Sequence, residues 1–126
     1  PEARIRQILE AHTADLQADR GKPGWAILEL SHEVYNPYYR AIRNAVGTYL
    51  QRPAFGPHVT VTRGEVMLPT ALEGLRYSVP LATQPTVRNP LAYVSASAPE
   101  LATLREHHGL AAHPSPNFHM TIGRFS

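Results

Sequence analysis

Two short segments of the chain repeat the same residue types at the same spacing. Each contains His-x-Thr with an arginine three residues after the threonine. They are PHVTVTRG, with His58, Thr60 and Arg63, and NFHMTIGR, with His119, Thr121 and Arg124. An imidazole accepts or donates a proton near neutral pH, and a threonine hydroxyl can donate a hydrogen bond to a phosphate oxygen. Two such pairs facing each other would suit a phosphodiester. One ring would deprotonate the attacking hydroxyl or water, the other would protonate the leaving oxygen, and no metal would be required.

The spacing predicts where these side chains point. Along a strand, residues two apart share a face, so each histidine stands beside its threonine, about 6–7 Å away. Arg63 and Arg124 are at odd spacing from the histidines and point to the other face of a straight strand. A bulge or turn at Gly64 or Gly123 would bring them back. They are candidate phosphate contacts, because a guanidinium can bond two oxygens at once.

Three other side chains are candidate substrate contacts, each with a structural alternative. Tyr35 and Tyr38 belong to an aromatic cluster and could stack on a base, or else be partly buried in the core. Glu65 follows Arg63-Gly64 and could pair with an arginine or touch substrate. The sequence does not choose between these alternatives.

A metal site is the competing interpretation of the histidines. His107, His108 and His113 lie near His119, but neighbours on a helix point apart, and the nearby acid at ligand spacing is Glu106. Histidines at a helix end, favoured by the helix dipole, are the simpler explanation. The chain has no cysteine, which excludes disulfides and Cys-ligated zinc. We therefore expect no metal and no cofactor.

The surrounding pattern predicts the elements that position both motifs. An amphipathic stripe predicts a helix over 1–20, ended by Gly21 and Pro23. Asn36 and Pro37 predict the start of a helix over 36–51. The remaining elements are strands over 24–30, 58–63, 76–82, 91–97 and 117–125, and a helix over 98–108 opened by a Ser97–Glu100 capping box.

Each motif strand thus follows a strand and a helix, so the short motif belongs to an internal repeat. We predict a single α+β domain over 1–126, with an N-terminal helix over 1–20 and two pseudo-symmetric strand–helix–strand lobes over 24–65 and 76–126. Largely antiparallel sheets should line a central groove with the helices outside.

Composition adds little that is specific. The formal net charge is +2, and Lys22 is the only lysine among 12 basic residues. Arginine suits phosphate, although a GC-rich genome would produce the same bias. The sequence lacks a long apolar run and a signal-peptide pattern, so we expect a cytoplasmic protein with no membrane and no obligate protein partner.

Twin His-x-Thr motifs on strands of a pseudo-symmetric α+β domain resemble the two-histidine (2H) phosphoesterase superfamily. That group includes 2′-5′ RNA ligase-like proteins, cyclic phosphodiesterases and phage enzymes that degrade cyclic-oligonucleotide signals of antiviral defence. The resemblance covers about 24–126 and implies that His58 and His119 are the acid–base pair, with Thr60 and Thr121 as phosphate-binding hydroxyls.

The resemblance implies a metal-independent phosphodiesterase with a nucleotide or RNA-derived substrate. The scissile group would be a 2′,3′-cyclic phosphate, a 2′-5′ linkage or a cyclic oligonucleotide. An RNA- or nucleotide-binding module with little or no turnover is the alternative, and a His-ligated metal hydrolase is a weaker one.

Overall fold

The described part of the protein contains a mostly antiparallel sheet of eight strands, a separate two-stranded sheet and two helices. The computed structural model describes residues 9–10, 13–17, 23–47, 49–54, 56–114 and 117–125. The prediction of an α+β fold is confirmed. Neither helix in these ranges is long and apolar enough to cross a membrane.

Ten strands, two helices and one 3₁₀ turn occur along the described residues. The strands are β1 (Leu9–Glu10), β2 (Thr13–Gln17), β3 (Trp25–Glu29), β4 (Leu50–Gln51), β5 (His58–Arg63), β6 (Arg76–Ser78), β7 (Leu81–Ala82), β8 (Thr86–Arg88), β9 (Leu91–Ser95) and β10 (His119–Phe125). The helices are α1 (His32–Val46) and α2 (Pro99–His107), and a 3₁₀ turn covers Thr70–Leu72.

The two motif strands, β5 and β10, are neighbours at the centre of the sheet. The strand order is β6-β2-β3-β5-β10-β9-β8, with β4 also paired to β10 and β1 paired to β7 in a separate two-stranded sheet. The unit β3–α1–β5 therefore lies beside the unit β9–α2–β10, with both strand pairs antiparallel. This arrangement matches the internal repeat that the sequence predicts.

Both helices support the core face of the two central strands. Val59 and Val61 of β5 and Met120 and Ile122 of β10 are fully buried, together with Leu101 of α2. Helix α1 contacts β10 and α2 contacts β5, so each helix lies against the motif strand of the other repeat. Burial of these apolar side chains is the main stabilising contribution to the sheet–helix interface.

The predicted helix over 1–20 is wrong where the structure describes that segment. Leu9–Glu10 and Thr13–Gln17 are strands, and the other residues of 1–20 lie outside the described residues. In β2, buried Ala14 and Leu16 alternate with exposed Asp15. Because β2 is paired between β3 and β6, this alternation buries one face of the strand within the sheet. The same apolar residues also fit a helical spacing, which is why the sequence predicted a helix.

Helix α1 begins earlier and ends earlier than predicted. Its N-cap is Ser31, whose hydroxyl accepts a hydrogen bond from Val34 N, and Pro37 lies inside the helix. The helix ends at Gly47, which adopts the left-handed conformation that glycine tolerates best. The predicted capping box is also absent, since Ala98 caps α2 without a side-chain hydrogen bond.

Candidate functional site: a face with two histidines and two threonines

The register of the central strands brings the two motifs together. Val59 of β5 is paired with Met120 of β10. Extending this antiparallel register by one residue each way sets His58 opposite Thr121 and Thr60 opposite His119. Because Val59 and Met120 point into the core, their neighbours point to the opposite, open face of the sheet. The structure therefore places the four predicted residues on one face.

Both motif strands contain a bulge at the same position. The β3 ladder pairs Ile27 with Thr60 and Ala26 with Thr62, so it skips Val61. The β9 ladder pairs Tyr93 with Thr121 and Ala92 with Gly123, so it skips Ile122. Val61 and Ile122 each stand three residues after the motif histidine.

These bulges change the face on which the motif arginines lie. Burial runs intermediate, buried, intermediate, buried, buried, exposed from His58 to Arg63, and identically from His119 to Arg124. Two consecutive buried residues shift the alternation by one position, so both arginines return to the histidine face. A hollow of about 200 Å³ lined by Thr121 and Arg124 supports this placement.

Each motif histidine is anchored through the same ring nitrogen. His58 Nδ1 lies 2.8 Å from the carbonyl oxygen of Gly56, and His119 Nδ1 lies 2.7 Å from that of Asn117. A carbonyl oxygen only accepts, so Nδ1 carries the proton in both neutral rings. The other nitrogen, Nε2, is then the one left to exchange protons with a bound substrate.

The electrostatic environment of His119 favours its neutral form. Burial lowers the pKa of His119, the hydrogen bond to Asn117 opposes this, and the positive charges of Arg63 and His58 lower the pKa further. The ring also meets Tyr93 edge-on, with centroids 5.4 Å apart. The influence of Arg63 and His58 agrees with their placement on the same face.

The cross-strand neighbours of the two histidines differ in charge. Glu29 of β3 is paired with His58, whereas Ser95 of β9 is paired with His119. Directly opposite residues in antiparallel strands lie side by side on one face. The site is therefore symmetric in its histidines and threonines but has a carboxylate beside one ring and a hydroxyl beside the other.

The carbonyl oxygens at both bulges accept hydrogen bonds from helix side chains. Arg105 Nη1 of α2 donates to Val61 O at 2.7 Å, and the Tyr35 hydroxyl of α1 donates to Ile122 O. Arg105 is 2% exposed and Tyr35 is 1% exposed. Each helix thus fixes the bulge of the other repeat, and through it the face on which Arg63 or Arg124 lies.

Glu65 contacts an arginine of α2. Its carboxylate accepts bonds from Arg105 Nη1 at 3.0 Å and Nη2 at 2.9 Å, and from the backbone N–H of Arg63 at 3.0 Å. The bond from Arg105 is the main reason that the pKa of Glu65 falls below its usual value, 4.5. Glu65 was expected either to pair with an arginine or to contact substrate, and the structure shows the pair with Arg105.

Tyr35 and Tyr38 are placed in the core and not on the open face. Both rings are buried, and their hydroxyls donate to the carbonyl oxygens of Ile122 and Ala82. The Tyr39 hydroxyl likewise donates a hydrogen bond to the carbonyl oxygen of Leu50. These tyrosines attach α1 to the strands, so the structure shows the core alternative for Tyr35 and Tyr38, and a contact of either with substrate stays a prediction. Burial raises the pKa of Tyr35 to about 12.

The other histidines that the structure describes do not form a ligand cluster at the site. His107 and His108 lie edge to face on each other at 6.3 Å, and His113 packs edge-on against Phe118. His32 is exposed on α1. Over the residues that the structure describes, no three His, Asp or Glu side chains are grouped so that they could hold a metal ion.

The sequence analysis did not identify Arg105 or Arg52, although the position of Arg105 in the helical pattern indicated that it could be buried. Arg105 lies four residues after Leu101 on the apolar stripe of α2, and an arginine on such a stripe is typical of a buried, paired guanidinium. The predicted helix over 36–51 would place Arg52 just beyond a helix end. It instead follows β4, where it lines the hollow beside Thr121.

Comparison of the chain with family models, curated proteins and solved structures gave no match.

Proposed function

We propose that the protein is a metal-independent phosphodiesterase that acts on a nucleotide substrate through two-histidine acid–base catalysis. The observation that carries the proposal is the shared open face: His58 and His119 each keep Nδ1 on a backbone carbonyl, and Thr60 and Thr121 stand beside them. A phosphate between the rings would meet two proton-exchanging nitrogens and two hydroxyl donors. The resemblance of the twin motifs to 2H phosphoesterases supports the same reaction class.

The asymmetry of the site suggests the direction of proton transfer. His119 has a lowered pKa, so its Nε2 has a free lone pair at neutral pH and is suited to accept a proton from the attacking water or ribose hydroxyl. His58, with Glu29 as its cross-strand neighbour, then protonates the leaving oxygen. Thr60 and Thr121 donate hydrogen bonds to the non-bridging oxygens, on which negative charge increases in the transition state.

The test is a pH–rate profile on a substrate panel with chelator present. The panel contains 2′,3′-cyclic nucleotides, 2′-5′ dinucleotides and cyclic dinucleotides, and the enzymes are the parent, His58→Ala, His119→Ala and the double variant. We expect a bell-shaped profile whose two limbs belong to the coupled pair, and a loss of about 10²–10⁴-fold in each single variant. The double variant should lose less than the product of the two, because the rings act as a unit.

Four outcomes would count against the proposal. A flat profile in the parent or full activity in either single variant would exclude paired acid–base catalysis. Nucleotide binding without turnover would favour the binding module, and activity that chelator abolishes would favour a metal hydrolase.

A further inference from the structure

One aromatic side chain stands directly beside the motif residues of the open face. Tyr93 of β9 is paired with Thr121 of β10, so its side chain shares a face with that threonine. Its ring also meets the His119 imidazole edge-on, with centroids 5.4 Å apart and planes at 63°. Neighbouring strands lie about 4.8 Å apart, so Tyr93 is one strand spacing from a hydroxyl that would hold the phosphate.

The surroundings of Tyr93 suit contact with a flat ligand. Its cross-strand neighbours are Thr121 on β10 and Thr86 on β8, and both side chains are too short to cover a phenol ring. The edge-on contact with His119 uses at most one face of that ring. Tyr93 is half-buried, in contrast to the buried core tyrosines of α1. The ring is therefore held in position without being enclosed.

The equivalent position of the first repeat is aliphatic. Ile27 of β3 is paired with Thr60 as Tyr93 is paired with Thr121, and each pair adjoins the bulge of its motif strand. Ile27 is 4% exposed although it lies outside the apolar core cluster, which agrees with a position on the open face. An isoleucine offers no π face to a base. A planar aromatic group would therefore be held on the β9 side of the site.

Trp25 is the alternative aromatic ring on this face. It lies two residues from Ile27, about 7 Å further along β3, and is paired with Arg63 and not with a motif threonine. A Cβ at Gly64 would lie 3.4 Å from Trp25 Nε1, so the indole lies against that glycine. Tyr93 is thus the ring that stands next to a motif threonine.

We propose that Tyr93 is a base-stacking platform, on which the nucleobase of the substrate lies while its phosphate is held between the two histidines. Every base has a π face, so stacking favours a base over no base and discriminates little among bases. The inference rests on the proposed function, because it requires a phosphate beside Thr121. It adds that the group attached to this phosphate is a nucleoside that extends over β9.

The test compares ligands with and without a base by phosphorus NMR titration, so it does not depend on turnover. The ligands are the 2′- and 3′-phosphates of adenosine and the same phosphates of methyl riboside, in which a methyl group replaces the base. We expect the parent to bind the better adenosine phosphate at least about 5-fold more tightly than its base-free counterpart. Tyr93→Leu should remove this difference, whereas Tyr93→Phe keeps the ring and should retain it. In the parent, nuclear Overhauser contacts between adenine protons and the Tyr93 ring give a readout that needs no variant.

Tyr77→Leu is the matched control. Tyr77 is also a half-buried strand tyrosine, but it is paired with buried Ala14 and so faces the core side of the sheet. This variant should keep the difference between the ligands.

Three results would overturn the platform and leave the two-histidine site intact: equal affinity of the parent for both kinds of ligand, a difference that persists in Tyr93→Leu, or one that disappears in Tyr93→Phe. Quenching of Trp25 fluorescence by the adenosine ligands alone, together with a difference that persists in Tyr93→Leu, would assign the base to Trp25 instead. If neither kind of ligand binds the parent, the proposed function fails and this inference fails with it.

Discussion

Replacing Arg105 by glutamine should destabilise the fold far more than removing a surface arginine. The buried guanidinium donates from Nε to Ala111 O at 2.7 Å, from Nη1 to Val61 O, and to both oxygens of Glu65. Breaking a buried ion pair costs about 3–5 kcal/mol. The side chain of Glu65 is 36% exposed and can be rehydrated, so we expect the lower end, about 3 kcal/mol.

Urea unfolding at neutral pH, followed by the fluorescence of Trp25, measures this loss directly. The control is Arg76→Gln, which breaks an ion pair of 3.1 Å between side chains that are 69% and 51% exposed. Exposed pairs contribute at most about 1 kcal/mol. If the two variants lose equal amounts of unfolding free energy, Arg105 does not hold the bulge of β5 and the reasoning is refuted.

The same pair predicts a pH dependence. The pKa of Glu65 is lowered in the folded state, so its contribution is fully present above the unfolded value and is lost as pH falls through the folded one. Acidification below about pH 4.5 should therefore reduce the stability of the parent more than that of Arg105→Gln. If the unfolding free energy falls equally steeply with decreasing pH in the parent and in Arg105→Gln, the Arg105–Glu65 pair does not lower the pKa of Glu65.

Three other results are expected. Tyr35→Phe should cost about 1 kcal/mol by removing the bond to Ile122 O. Because the pKa of Tyr35 is raised to about 12, the parent should also lose stability as pH rises from 10 to 12, and Tyr35→Phe should not show this component in a denaturation series. Thr60→Val and Thr121→Val should keep the parent's unfolding midpoint yet lower kcat/KM by about 10–100-fold, since each removes a hydrogen bond to a charged oxygen. Wild-type kcat/KM in both would remove the threonines from the site.

Local signals predicted the motif strands well and the surroundings poorly. HVTVTR alternates half-buried and buried residues up to its bulge, and its repetition at the end of the chain indicated the internal repeat. The bulges depend on which residues of β3 and β9 face the motif strands, and a strand's own sequence does not contain its register with a distant partner. Strand β4 was not predicted, because it is only two residues long and pairs with a distant strand. It can approach β10 because Gly123 has no side chain to collide with Leu50 and Gln51.

The start of α1 shows how one boundary changes the assignment of function. With a helix beginning at Asn36, Tyr35 lies in a loop and is free to stack on a base. With Ser31 as the N-cap, Tyr35, Tyr39 and Ile42 fall at helical spacing and face the core. Through Tyr35, the aromatic cluster then becomes part of the support for β10.

The crossed support of the two repeats explains how a symmetric site can have distinct ends. Each motif strand packs against the helix of the other repeat, so we expect each half of the site to be aligned only when both repeats are folded. The supports differ chemically: a charged pair, Arg105–Glu65, holds β5, whereas a neutral tyrosine holds β10. Acid or loss of Arg105 should therefore disturb the end of the site at Arg63, and strong base should disturb the end at Arg124. A repeated motif provides the two rings, and in the proposed mechanism the unlike residues around it give one ring the role of base and the other that of acid.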